Sequence, residues 1–216
     1  MELDELWPLF NLRVRTPELE LRVPTDADLA ELLSVAARGV HPPEFMPFLV
    51  PWTDLPSPQM ERSALQYHWK CRGEFSSLAW NLCFVVVVDG KTVGSQSLHA
   101  DNFPTLRSAM TGSWLGMEYQ GQGIGKHMRA AVVRFAFDYL GAEVITSGAH
   151  VDNPSSQKVS LATGYEPNGT YRTVRRGQSV EHIRYQLTRE RWEATRSDEP
   201  LIVEGFEPCR SMFGPR

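Results

Sequence analysis

A chain that carries Gln120-Gly121-Gln122-Gly123-Ile124-Gly125-Lys126 directly ahead of a long amphipathic stretch has few folds open to it. Glycine adopts backbone conformations with positive φ and lets a ligand come close to the main chain, so this run makes a turn that neither strand nor helix absorbs. Downstream, Met128, Ala131, Val132, Phe135 and Tyr139 recur at helical spacing, Val133 and Phe137 widen the stripe and Gly141 ends it. That predicts a mostly buried helix over about Ile124 to Leu140. Upstream, Arg107 to Met117 reads as a strand. A strand passing through glycines into a helix offers unpaired amides and the positive end of the helix dipole to an anion.

Spacing narrows which anion. As a Walker A loop ending in Gly125-Lys126, the run has Gln120 where the first glycine belongs and His127 where the hydroxyl belongs, so that reading fails. A dinucleotide fingerprint starting at Gly121 has Lys126 in place of the third glycine, which leaves a nucleotide-dependent oxidoreductase a poor fit. A tight helix entry with no ligand is the bland alternative.

The rest of the chain predicts alternating elements. Leu12 to Val23 reads as a short hairpin, and Thr25 caps a helix with Leu29, Leu32, Leu33 and Ala36 on one face that Gly39 stops. From Val40 to Pro58 six prolines interleave with Phe45, Met46, Phe48 and Trp52, which excludes a regular helix or central strand. This apolar loop is expected to wall a substrate site, or else to cap the core. Ser57-Pro58 is expected to open a helix reaching Gly73, followed by a hairpin turning at Asp89-Gly90. After the long helix come a strand around Val144 to His150, a short helix capped by Asn153-Pro154, and two strands at about 165–174 and 181–187. The order β, α, α, β, β, β, α, β, α, β, β predicts a mixed α/β (α+β) domain, with a mixed, mostly antiparallel sheet flanked by helices and one βαβ crossover. The tail, with Trp192, Phe206 and Phe213, is expected to fold back on the body or on a partner chain as a homodimer.

With 22 basic and 26 acidic side chains, the net charge of -4 argues against a nucleic-acid partner. Cys71, Cys83 and Cys209 form no metal-ligand or disulfide pattern, so no metal is expected and a reducing cytoplasm is the expected location. No membrane partner is expected either. The acidic N-terminus lacks the basic and apolar regions of a signal peptide, and the longest apolar run, Cys83 to Val88, is a strand's length.

Gln120, Gly123 and Gly125 match the pyrophosphate loop of the GNAT acyltransferases, in which Gln or Arg is followed by Gly and then Gly or Ala at this spacing. Thirty residues on, Asn153, Ser156, Val159 and Gly164-Tyr165 match that superfamily's second signature. Over roughly Leu21 to Leu187 the chain resembles this superfamily, in particular the branch with the ribosomal-protein alanine N-acetyltransferases. The resemblance implies one GNAT domain over 1–216, with a core at about 21–187 and terminal extensions 1–20 and 188–216. It implies an N-acetyltransferase that takes acetyl-CoA, or another acyl-CoA such as succinyl-CoA, and passes the acyl group directly to a primary amine of a protein or small molecule. The acceptor's identity is open, and a catalytically idle CoA-binding module is the alternative.

The same resemblance implies site residues. Trp114, Leu115, Gly116 and Met117 would pair with the pantetheine arm, and Gln120, Gly121, Gln122, Gly123, Ile124, Gly125 and Lys126 would hold the pyrophosphate. Asn153 and Ser156 would also face the cofactor. Ser156 matches the hydroxyl that protonates the departing thiolate, and Ser160 is a second choice. The strand from Arg107 to Met117 has no carboxylate, and Gly148 stands where some relatives have a glutamate, so the base is open among Glu44, Asp54, His99, His150, Asp152 and Glu181. Glu44, Trp52, Asp54 and Trp80 are expected near the acceptor.

Overall fold

The computed structural model describes residues 1–214, so the last two residues of the expected C-terminal extension, Pro215 and Arg216, lie outside the described residues. In chain order the elements are α1 (Leu3–Leu6), β1 (Arg13–Arg15), β2 (Glu20–Arg22), α2 (Asp26–Ala37), α3 (Gln59–Gly73), β3 (Trp80–Val88), β4 (Lys91–Ala100), α4 (Phe103–Leu106) and β5 (Ser108–Leu115). There follow α5 (Ile124–Phe135), β6 (Val144–His150), α6 (Pro154–Ala162), β7 (Glu166–Arg175), β8 (Gln178–Thr188), α7 (Arg189–Thr195), β9 (Ile202–Glu204) and α8 (Phe206–Cys209).

Local chemistry sets the helix starts. Thr25 and Asp28 form a capping box for α2: Asp28 N donates to Thr25 Oγ1 at 3.3 Å and Thr25 N donates to the Asp28 carboxylate at 2.8 Å. At α3 the expectation fails. Pro58, not Ser57, occupies the cap position and no side chain caps the helix. The turn that Ser57 was to cap is instead opened by the Pro56 and Pro58 carbonyls, which accept from the Met60 and Arg62 amides. The long helix is α-helical through Phe135 and continues as a π-helical turn over Ala136–Leu140, closed by Gly141 with φ of +74°.

The nine strands form one sheet in the order β7-β8-β6-β5-β4-β3-β2-β1-β9. Every pairing is antiparallel except β5 with β6, whose parallel connection runs through α5. That pair is short: only Ser108, Ala109 and Met110 face Val144, Ile145 and Thr146. Beyond it the two strands part while each keeps its outer neighbour, β5 pairing with β4 as far as Leu115 and β6 with β8 as far as His150. A gap therefore opens in mid-sheet at the C-terminal end of β5, beside the N-terminus of α5.

Helix α5 covers one face of the sheet and its Met128, Ala131, Val132 and Phe135 are buried in the main core with Phe84, Leu98 and Ile145. Full burial of each large apolar side chain contributes roughly 1.5–3 kcal/mol. The tail folds back on its own chain. Trp192 stacks on Phe137 with ring centroids 4.8 Å apart, β9 adds antiparallel to β1, and Phe206 and Phe213 are buried.

Candidate functional site

The gap between β5 and β6 is flanked by two cavities. One, of about 560 Å³, runs from Trp114 and Leu115 past Gln120, Gly121, Gly123, Gly125 and Lys126 to Asn153, Ser156 and Val159. The other, of about 550 Å³, lies within the gap between Met110–Ser113 and Thr146–Gly148 and opens toward Tyr171, His182 and Arg184. Pro47, Phe48, Ser113, Arg129, Asn153 and Ser156 line both, so the cavities meet at these side chains.

The glycine loop is shaped as its sequence requires. Gly121 and Gly123 have φ of +74° and +84°, and Gly125 stands opposite Val159 of α6, where a Cβ would sit 3.4 Å from a Val159 methyl. Gln120 braces the loop from beneath. Its Nε2 donates to Val40 O at 2.7 Å and to Leu115 O at 2.9 Å, tying the loop to β5 and to the start of the proline-rich segment. Gly116, Met117, Gln122 and Ile124 do not border the cavity. Gly116 packs where a Cβ would meet Val35 at 2.6 Å, Ile124 packs on the core, and Gln122 Nε2 donates to Glu118 O.

At the second signature, Asn153 caps α6, its Oδ1 accepting from Ser156 N at 3.2 Å. Ser156 is half-buried and faces both cavities. Ser160, one turn on, does not reach them. It is fully buried with no partner for its hydroxyl, because the helix carries it down under the segment where Tyr165 N donates to Ser160 O.

The acceptor-side expectations divide. Phe48 and its prolines do wall both cavities, and Trp52 stands behind them, its ring 5.5 Å from Phe48 and 5.7 Å from Trp114. Trp80 is corrected. It is 2% exposed in the core, 5.1 Å from Phe103 and 5.3 Å from Phe213, because the C-terminal tail covers the strand end that was expected to face substrate. Glu44 is exposed outside both cavities. Asp54 is taken up by Arg176, whose Nε and Nη2 donate at 2.8 and 2.5 Å and hold its carboxyl below the usual range. Asp152 is held low in the same way by Arg175. These two arginines, the last residue of β7 and the first of the turn that follows it, also donate to Met46 O and Pro43 O, so they tie down the proline-rich wall. His99 pairs with Asp101 at 3.0 Å, and Glu181 is exposed outside the cavities.

Residues that sequence reasoning passed over hold the centre. Arg129 is 3% exposed, donates from Nη1 to Ser147 Oγ at 2.9 Å and from Nη2 to Ser113 Oγ at 3.1 Å, and leaves Nε unpartnered. Burial lowers its pKa; Tyr165, whose ring lies 5.9 Å from the guanidinium, is the group that opposes this, and no carboxylate among the described residues pairs with it. The signal was present: Arg129 shares a helical stripe with Val132 and Val133, where a charge has no solvent to reach. His182 is the other. Its Nδ1 lies 3.3 Å from Nδ1 of the fully buried His150, and burial holds its pKa down to about 4. No local pattern marks it, since its place comes from the register of β8 on β6.

Among the described residues, Glu18, His127 and Glu199 bring ligand-type atoms within 4.8 Å of one another on the outer side of α5. The two glutamates are exposed, and the group joins the tail to the helix rather than bordering the cleft. No helix among the described residues is long and apolar enough to cross a membrane.

The acetyltransferase (GNAT) domain model matches residues 18–166, well over half of the chain. Among solved structures, Mycobacterium smegmatis RimJ in complex with CoA-disulfide superposes with a TM-score of 0.66 at 20% identity, over 85% of this chain and 90% of that one. RimL, a ribosomal alpha-N-protein acetyltransferase in complex with coenzyme A, gives 0.64 at 18% identity over 80% and 95%. A GCN5-related N-acetyltransferase from Brucella melitensis gives 0.68 at 18% identity over 84% and 80%. At these identities the likeness is one of fold.

Proposed function

This chain belongs to the GNAT acetyltransferase family, and on that premise we propose that it moves an acyl group from acyl-CoA to a primary amine by direct attack. The observation that carries the reading is the meeting of the two cavities at Ser113, Arg129, Asn153 and Ser156, with the amide-rich glycine loop at one end. The pyrophosphate belongs on the glycine loop, where Gly121, Gly123 and Gly125 border the cavity at the start of α5 and the helix dipole favours an anion without overall basicity. The pantetheine arm belongs beside Trp114 and Leu115, where β5 has left β6 and its backbone is free on that side. The thioester then lies in the gap between the strands, the amine approaches through the second cavity, and Ser156 supplies the proton for the departing thiolate.

Acetyl-CoA is the first donor to consider. Arg129 supports a second, succinyl-CoA: a buried guanidinium without a carboxylate of its own, at the junction of both cavities, suits the distal carboxylate of a dicarboxylic acyl group. A homodimer loses its original motive, because Trp192, Phe206 and Phe213 are buried within the same chain. Three free cysteines suit a reducing compartment such as the cytoplasm.

Release of free CoA thiol from acetyl-CoA and from succinyl-CoA, measured with a panel of peptides and polyamines, tests the proposal. Turnover is the expected result. CoA binding by calorimetry without turnover of either donor supports the idle-module alternative, and no CoA binding at all removes both.

A further inference from the structure

The reaction needs a group to take the proton from the attacking nitrogen, and the usual carboxylate positions do not provide one. Asp54 and Asp152 are committed to arginines, and Glu44 and Glu181 are exposed outside the cleft. Gly148 on β6 lines the second cavity with no side chain at all. The space it leaves is filled from the next strand. A Cβ built on Gly148 would sit 2.3 Å from His182 Nε2 and 3.0 Å from its Cδ2, so the imidazole edge stands where a side chain of residue 148 would begin. His182 itself lines that cavity, opposite Met110 to Ser113.

Resting on the acyltransfer reading above, we infer that His182, reaching from β8 into the space left by Gly148, is the catalytic base for the acceptor amine. Its ring is held in place on two sides. The opposite residue in the strand register is His150, the two rings lie 4.8 Å apart at 88°, and Tyr171 of β7 packs on the other side at 5.1 Å. With His182 carrying its proton on Nδ1 and donating it to His150 Nδ1, Nε2 has its lone pair free toward the cavity. His150 is then a positioning residue.

In the balanced step, the nitrogen lone pair forms the N–C bond while the carbonyl π pair moves to oxygen. The surplus N–H proton passes to His182 Nε2, the oxyanion pair re-forms the carbonyl as the C–S bond breaks with its electrons leaving on sulfur, and the thiolate takes a proton from Ser156 Oγ. The imidazolium returns its proton to Ser156 through cleft water, leaving amide and thiol.

The charged and titratable groups around His182 are His150 on β6, Tyr171 on β7, Arg184 on its own strand and Arg129 across the cavity, with the Arg175–Asp152 pair beside His150. Burial first, and the neighbouring His150 second, oppose imidazolium, which keeps His182 neutral and ready to accept at pH 7. It therefore holds the proton only until Ser156 is reprotonated. The donor nitrogen is by then acidified by its new bond to carbon, so a weak base suffices.

The test uses the full chain with His182→Ala and His182→Gln, the second retaining bulk and polarity. CoA release from acetyl-CoA is measured at pH 7 with the best peptide or polyamine acceptor and with an alkoxyamine, whose adduct nitrogen is far more acidic and needs less help from a base. Both variants are expected to lose about 100-fold or more in kcat with the alkylamine, and distinctly less with the alkoxyamine. CoA affinity by calorimetry should stay within about threefold, and added imidazole should restore rate to His182→Ala but not to His182→Gln. Retention of kcat within about threefold in both variants overturns the assignment, as does an equal loss on both nucleophiles without imidazole response. An inactive wild type removes the acyltransfer reading itself, whereas an active wild type indifferent to His182 removes only the base.

Discussion

Arg129 on α5 donates from Nη1 to Ser147 Oγ on β6 at 2.9 Å, placing a buried positive charge in the gap where β5 and β6 part. Hydroxyls alone compensate a guanidinium poorly, so the charge suits an anionic ligand better than it suits the fold. Arg129→Met is expected to leave the melting temperature unchanged or raised, since replacing a buried charge by an apolar side chain of similar length is often neutral or stabilising. Turnover of succinyl-CoA should fall by about 10- to 100-fold, the value of a hydrogen bond to a charged group, while acetyl-CoA is affected less. Equal losses for the two donors, in steady-state assays run side by side, would show that Arg129 does not read the acyl group.

The two serines of α6 separate by position. Ser156→Ala should lower kcat by about 100-fold with CoA affinity retained, because a proton donor acts in the transition state and not in binding. Ser160→Ala should leave kcat near wild type and leave stability unchanged or slightly raised, as it removes a buried hydroxyl that has no partner. The reverse pattern would exchange their roles.

Gly125 sits on the first turn of α5 with its missing side chain directed at Val159. Gly125→Val puts two methyl groups into the narrow space between α5 and α6, and calorimetry should show CoA binding weakened by about 100-fold or more. The circular dichroism spectrum should hold, since valine is only mildly unfavourable in a helix. Unchanged CoA affinity would move the pyrophosphate off this loop.

His68 and His182 both have pKa values held near 4 chiefly by burial, against an ordinary value of 6.5. Between those values the unfolded chain binds protons that the folded chain does not, so stability falls as pH drops from about 6.5 toward 4. Each histidine contributes roughly 1–3 kcal/mol to that loss. Urea midpoints at pH 7 and pH 5 should show it, and His68→Leu should flatten the dependence without touching the cleft. A midpoint independent of pH over this range would mean that these rings reach solvent.

The glycine run, the stripe on α5 and the Asn153 cap were legible because each is a local pattern, settled by helix period, glycine conformation or capping chemistry within a few residues. The hairpin at Asp89-Gly90 and the crossover order were legible for the same reason. Trp80 was misread because its cover, Phe213, lies 133 positions away and nothing near Trp80 announces it. His182 was invisible because its meaning depends on facing His150 in register and on a missing Cβ one strand over at Gly148. The sequence by itself determined the glycine turn ahead of α5, the helix that follows it and the alternation of elements. Tertiary structure alone decided which polar groups meet at the strand gap, because strand pairing joins residues by register, and register is set by burial across the whole sheet rather than by neighbours in the chain.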